Sequence, residues 1–364
     1  MALREIAGEE NVRALSLLGP DDNQIEADFA VYWSGREGFD NVGLSARVAF
    51  ATRALVLAAT WCPDIIVSAH VNLTPLLSRL RQLSGGRTIL NVYGLEIWSG
   101  LNARRLSNMA KVDYIIADCH ATASYVTDEG LHHARPKVIW DPVDLDRFAP
   151  GPADQAIVAK YGLPDPSLCK IVMSLGRLAK AAAHKGFDRL IPIVASLKDR
   201  FPDLRLVIAG RGDDRPRLEG LVRDQGIVDR VIFTGSIDEV DLPALYRTAH
   251  VFSLVSDRGH GRGEGIPLTP LEAMACGVPV IVGDEDGSRE AVVEGRNGVV
   301  VSPRDPVAHG AAIVSLFESP DRLSRLRKAA RQVAETHFSF EEFVGKHRAL
   351  LDDIARLRFS EDAA

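Results

Sequence analysis

The residues best suited to chemistry fall in one run, Gly263-Glu264-Gly265-Ile266-Pro267-Leu268-Thr269-Pro270-Leu271-Glu272-Ala273-Met274-Ala275-Cys276-Gly277. It follows an apolar, strand-like segment and opens a helix whose end is marked by Gly277 and Pro279. The backbone from Gly265 through Ile266 and Pro267 to Leu268 therefore gathers N–H groups at a helix N-terminus, a setting that attracts phosphate. Glu264 and Glu272 flank it as fixed acceptors, which suit hydroxyl-rich ligands such as sugars and ribose. Both carboxylates also have ordinary readings. Thr269-x-x-Glu272, with Pro270 between them, spells a capping box, and Glu264 near Arg262 reads alone as a solvated loop residue.

A second run is Leu175-Gly176-Arg177-Leu178-Ala179-Lys180-Ala181-Ala182-Ala183-His184-Lys185-Gly186-Phe187-Asp188. It directly follows another strand-like segment, so Arg177 and Lys185 can converge on a diphosphate, in place of the divalent metal that many such sites use. Taken singly, each is more often surface charge. His70 also stands just past a strand-like segment, where active-site groups gather, although a lone histidine there is more often structural.

The elements that must position these residues alternate between short apolar runs and amphipathic stretches, the pattern of βαβ units around parallel sheets. The first series has strands near Val12–Leu18, Ile65–Ser68, Thr88–Val92, Tyr114–Ala117 and Lys137–Ile139. Helical stretches near Leu44–Thr60, Pro75–Leu83 and Ala121–Glu129 separate them. The second has strands near Lys170–Ser174, Leu204–Ala209, Val231–Thr234, Val251–Leu254, Val278–Val282 and Gly298–Val301. Phe148-Ala-Pro-Gly-Pro-Ala153 reads as the linker. The expected class is α/β with two Rossmann-like, doubly wound domains facing across a cleft, residues 1–150 and 151–335. The segment 336–364 is a helix expected to pack back on the first domain.

Composition narrows the function classes. The 364 residues carry a formal charge of −6, 46% hydrophobic and 25% charged residues. That fits a globular chain of two domains and argues against a general nucleic-acid surface. Cys62, Cys119, Cys169 and Cys276 are dispersed with no C-x-x-C pair, so no metal site is indicated and a reducing, cytoplasmic setting fits. The longest apolar stretch, Val48–Trp61, is broken by Arg53 and is too short to span a bilayer. The acidic N-terminus lacks the apolar stretch of a signal peptide.

Gly176-Arg177…Lys185-Gly186 after a strand, Glu264 and Glu272 eight positions apart, and Leu271-Glu-Ala-Met-Ala-Cys-Gly-Val-Pro-Val280 together resemble the donor half of family 4 glycosyltransferases, retaining enzymes of GT-B architecture. The resemblance runs from about Lys170 to the C-terminus. It implies that Arg177 and Lys185, with Gly176, bind a nucleotide diphosphate and that Glu272 binds ribose hydroxyls. Glu264 and the Gly265, Ile266, Pro267 and Leu268 backbone would hold the donor sugar and distal phosphate, and the strand end Phe233-Thr-Gly-Ser-Ile237 would seat the base. It further implies front-face transfer of a sugar from a UDP- or GDP-sugar to a glycan or lipid-linked acceptor, with no metal or other cofactor.

Four departures qualify the resemblance. Eight positions separate Arg177 from Lys185 where the family commonly has about five, which makes Lys180 the substitute. Val92-Tyr93-Gly94 holds Tyr93 where these enzymes often place a histidine against the donor sugar. Asp141 stands for the usual Asn in Asp141-Pro-Val-Asp144. The opening βα unit is not recognisable, because Leu3–Glu9 reads as the end of its helix. Either the start lies upstream, the N-terminus is trimmed, or the protein works without that loop. Tyr93 and the missing unit leave a catalytically silent relative or scaffold as the alternative, and a sugar-nucleotide epimerase as a weaker one. The basic stretch Arg79, Arg81, Arg87, Arg104, Arg105 and Lys111, against Glu96 alone, suggests peripheral contact with an anionic membrane face, a solvated helical face being the ordinary reading.

Overall fold

The computed structural model describes residues 1–17, 29–30, 43–98, 100–258 and 265–362. Two parallel sheets organise the chain. The strands, in chain order, are β1 (Leu15–Ser16), β2 (Phe29–Ala30), β3 (Ile65–Ser68), β4 (Arg87–Val92), β5 (Tyr114–Ala117), β6 (Lys137–Val138), β7 (Lys170–Leu175), β8 (Leu204–Ala209), β9 (Val231–Gly235), β10 (Val251–Leu254), β11 (Val280–Gly283) and β12 (Gly298–Val301).

The second domain is a six-stranded sheet of order β12-β11-β10-β7-β8-β9, and every pairing in it is parallel. Helices cover both faces, so its strands are continuous apolar runs rather than alternating ones, and β10 and β11 are buried throughout. The strand order reverses between β7 and β10, the point at which such sheets open a crevice beyond their carboxyl ends.

The first domain has four consecutive parallel strands, β3-β4-β5-β6, and β1 pairs with β2 in a separate two-stranded ladder. The strand expected over Val12–Leu18 is ladder-paired only at Leu15 and Ser16, and Leu18 lies outside the described residues. Asp113 ties β4 to the start of β5: its Oδ2 accepts from Thr88 N at 2.8 Å and from Thr88 Oγ1 at 2.7 Å.

Two features join the domains. The Phe340–Asp362 helix returns to the first domain, where Leu350 and Ile354 pack with Ile89, Ile116 and Ile139. Each buried aliphatic side chain of that kind contributes about 1.5–3 kcal/mol. The Pro/Gly segment at 148–153 is not a free tether. Phe148 is buried in the second domain's core beside Ile157 and Tyr246, Val143 N donates to Phe338 O, and Arg331 donates to the carbonyls of Leu145, Phe148 and Ala275.

Candidate active site

Gly176, Arg177, Lys185 and Glu272 stand around the crevice beyond β7 and β10. Gly176 is the first residue after β7, and a Cβ there would meet Lys185 Cδ at 3.1 Å, so the Lys185 stem lies across the glycine. The three additional residues between Arg177 and Lys185 are taken up by a 3₁₀ turn, Lys180–Lys185, kinked at Ala182. That turn brings Lys185 back to the strand end. Lys180 is exposed, and its amide donates to Asp213 Oδ1, which ties it to the neighbouring loop. Arg177 is exposed with no hydrogen bond or ion pair among the described residues. Gly210, directly after β8, has φ 128° and lies so close to Gly176 that a Cβ would stand 1.9 Å from Gly176 O. Only glycine fits both demands there.

The helix beyond β10 runs from Leu268 to Ala275 with Pro267 at its N-cap, so it starts earlier than the expected Pro270 position. Its capping box does not form, because Glu272 turns instead toward Tyr246, whose hydroxyl donates to Glu272 Oε2 at 2.6 Å. Tyr246 is fully buried, which holds the Glu272 carboxylate in one orientation at the crevice wall. Burial pushes the Glu272 carboxyl up while the Tyr246 hydrogen bond pulls it down, and burial followed by the Glu272 charge pushes the Tyr246 hydroxyl up. The amide row is shorter than Gly265 to Leu268 suggests, because Pro267 has no N–H. Ile237 lies two residues past β9, half-buried against the core. Glu264 lies outside the described residues.

Tyr93 follows β4 and faces this row. A Cβ on Gly265 would stand 2.8 Å from Tyr93 O and 1.6 Å from Asp118 Oδ2, so the backbones of the two domains meet here without room for a side chain. Partial burial and the neighbouring Asp141 carboxylate push the Tyr93 hydroxyl up. His70 is placed differently. It is exposed, and its Nδ1 accepts from Asn72 N at 3.1 Å as the cap of the Val71–Leu73 turn.

Several junction residues were missed by sequence reasoning. Asp118, the residue after β5, accepts through Oδ2 from Ile266 N at 3.0 Å. Glu290, from the second domain, accepts from His120 N at 2.9 Å, Ala121 N at 3.0 Å and Trp140 Nε1 at 2.8 Å. A carboxylate thus caps the N-terminus of the first domain's His120–Asp128 helix from across the junction. Arg258 stacks over the Trp98 ring at 4.9 Å. The rule that singled out His70, a polar residue just past a strand's carboxyl end, applies equally to Asp118. Glu290 carries no comparable local signal.

The basic stretch is partly neutralised by an acid just beyond it. Arg81 Nη2 lies 2.9 Å and Arg87 Nη1 3.5 Å from Asp113 Oδ1, while Glu96 accepts from Tyr93 N. No helix among the described residues is long and apolar enough to cross a membrane.

Two parallel-sheet α/β domains joined at a cleft define the GT-B class of glycosyltransferase folds. Anabaena HepE, solved in complex with UDP, matches over 90% of this chain and 86% of its own with a TM-score of 0.73 at 16% identity. The family model "Glycosyl transferases group 1" matches residues 163–333. The GDP-mannose-dependent alpha-(1-6)-phosphatidylinositol monomannoside mannosyltransferase of Mycolicibacterium smegmatis is 34% identical over 272 residues, 71% of this chain and 68% of the relative. The Mycobacterium tuberculosis protein of the same name is 29% identical over 353 residues, 90% of each chain. The chain belongs to the group 1 glycosyltransferases, family 4 of the GT-B architecture, and it is a glycosyltransferase.

Proposed function

We propose that the protein transfers a sugar, with retention of anomeric configuration and without a metal ion, from a nucleotide-sugar donor to a lipid-linked or glycan acceptor. The observation that carries this reading is the convergence of the Lys185 stem over Gly176 with the N-terminus of the Leu268–Ala275 helix and a Glu272 oriented by Tyr246, all at one end of the sheet. Arg177, Lys185 and the Leu268 and Thr269 amides hold the diphosphate and stabilise its charge as the glycosidic bond breaks. Glu272 takes the ribose hydroxyls, the loop at Ile237 seats the base, and Glu264 holds the sugar. The departing diphosphate accepts the acceptor's proton on the same face, so the transfer is not a double displacement and needs no carboxylate nucleophile. Tyr93 lines the sugar's other side where relatives often use histidine.

Between the UDP- and GDP-sugars, GDP-mannose is the first donor to test, because the mycobacterial relatives are named for it at 34% and 29% identity. Their named acceptor, a phosphatidylinositol monomannoside, favours a lipid-linked acceptor met at the inner face of a membrane from the cytoplasm. Arg79, Arg104, Arg105 and Lys111 are the residues for that peripheral contact, since Asp113 engages Arg81 and Arg87. Nucleic acid is not among the proposed partners. The test is turnover of GDP-mannose with a phosphatidylinositol-mannoside acceptor in the presence of excess EDTA, with the product's anomeric protons read by NMR. An α product formed at an undiminished rate is expected. A β product, or loss of turnover with EDTA, contradicts the mechanism.

A further inference from the structure

The junction contains a carboxylate whose environment is incomplete. Asp118 is only 5% exposed; its Oδ2 accepts from Ile266 N, and its Oδ1 is buried with no hydrogen-bond partner among the described residues. No cation among the described residues is paired with it. Around it stand Tyr93, Asn91, Asp141, Phe343 and His347, which line a small cavity of about 10 Å³, and Asn91 Oδ1 is likewise buried and unpartnered. A buried carboxylate held only by neutral donors, the Thr122 hydroxyl, the Ile266 amide and the Cys119 thiol, with one oxygen left over, is costly, and such groups in native proteins call for an explanation in ligand or chemistry.

The chemistry of the pair restricts what that ligand is. Asp118 presents an acceptor and Ile266 an N–H, 3.0 Å apart, one from each domain. A phosphate oxygen can use the N–H but is repelled by the carboxylate, whereas a hydroxyl accepts from the N–H and donates to the carboxylate at once. The remaining helix-terminal amides, Leu268 and Thr269, lie further along the row toward the Leu268–Ala275 helix and have no carboxylate against them in the described structure.

We propose that Asp118 is a specificity-determining residue of the donor site, contributed by the first domain, which together with Ile266 N–H grips one hydroxyl of the transferred sugar. Asp118 then marks the sugar end of the crevice, and Leu268, Thr269, Arg177 and Lys185 mark the phosphate end. In this structure the acceptor and the N–H satisfy each other across the junction, and because that contact leaves no room for a side chain, the two domains must part there before a sugar hydroxyl can replace one direct hydrogen bond with two. The inference rests on the nucleotide-sugar reading of the crevice and adds to it a residue that faces the sugar from the opposite domain.

The test compares wild type, Asp118→Asn and Asp118→Ala in calorimetric titrations with GDP-mannose and with GDP alone, repeated with UDP-glucose and UDP. Thermal melts establish that each variant is folded, and the near-isosteric Asn keeps an acceptor for Ile266 N–H. Loss of a charge-assisted hydrogen bond predicts about 10- to 100-fold weaker binding of the nucleotide sugar by Asp118→Ala, with the nucleoside diphosphate unchanged. Analogues lacking one sugar hydroxyl at a time should include one whose binding Asp118→Ala no longer weakens. Equal weakening of nucleotide and nucleotide sugar overturns the proposal in favour of a purely structural clasp. Tighter nucleoside diphosphate binding overturns it as well, because Asp118 would then occupy the phosphate's place. Arg177→Ala separates the two levels. If it abolishes nucleoside diphosphate binding, the donor reading stands whatever Asp118 does; if it has no effect, the donor reading fails and this proposal fails with it.

Discussion

Replacing Asp118 with Asn should stabilise the protein at neutral pH, and the size and pH dependence of the effect follow from its surroundings. Burial carries the Asp118 carboxyl up from 3.8 to about 6, opposed by hydrogen bonds that include the one from Ile266, with the Asp141 charge adding to the rise. The charged group acting on it is Asp141, and the adjacent Cys119 thiol, which burial keeps neutral, hydrogen-bonds to it. Between those two values the folded protein holds more protons than the unfolded chain, so stability falls as pH rises through the window. The loss is complete above about pH 6 and corresponds to about 3 kcal/mol. Asn keeps the acceptor for Ile266 N–H and removes the charge. Asp118→Asn should therefore exceed wild type by up to about 3 kcal/mol at pH 7.5, shrinking to about 1 kcal/mol at pH 4.5. If the first domain melts as a unit, the neutral-pH gain is roughly 6–12 °C. Urea titrations followed by tryptophan fluorescence at several pH values measure it. A gap that does not change with pH, or a less stable variant at pH 7.5, would refute the reasoning, since Asp118 would then be solvated or paired and the domains would not meet as described.

Three further outcomes follow from the same contacts. Gly265→Ala places a methyl 1.6 Å from the Asp118 carboxylate, so the junction cannot close; small-angle scattering should report a larger radius of gyration, with turnover falling at least about 100-fold and the second domain still folded. Tyr246→Phe frees the Glu272 carboxylate and removes the hydrogen bond that pulls its pKa down, so its effect should be confined to nucleotide affinity, about 3- to 10-fold in KM with kcat nearly unchanged. Glu290→Ala strips three N–H donors of their acceptor and should cost about 2–4 kcal/mol of junction stability, read as faster amide exchange at His120 and Ala121, whereas exchange unchanged there would show the cap to be dispensable.

The sequence was informative where one local pattern implies one structure. Continuous apolar runs located nearly all the strands, and the position of Gly176 and the Leu268–Ala275 helix at strand ends followed from the same periodicity. Features that depend on distant partners were not legible. Thr269 and Glu272 spell a cap, yet a buried tyrosine 26 positions away competes for the carboxylate and takes it. Arg177 and Lys185 stand eight apart, and only the 3₁₀ turn at Lys180–Lys185 shows how the longer loop still returns to Gly176. Phe148 sits in a Pro/Gly cluster that reads as a tether, and its burial depends on a core assembled from the other domain. The junction formed by Asp118, Ile266 and Glu290 joins residues more than 100 positions apart, so no spacing rule could have disclosed it.

The central claim, that sugar transfer runs on a nucleotide diphosphate held by Arg177 and Lys185 beside the Leu268–Ala275 helix, is tested most directly by nucleoside diphosphate release. Wild type, Arg177→Ala and Lys185→Ala would be assayed with GDP-mannose and UDP-sugars and a lipid-linked acceptor. The account predicts acceptor-dependent release by wild type from one donor class and a loss of roughly 100-fold or more in kcat/KM for each variant, in keeping with removal of a charge that stabilises the leaving diphosphate. Turnover by both variants at the wild-type rate would contradict it.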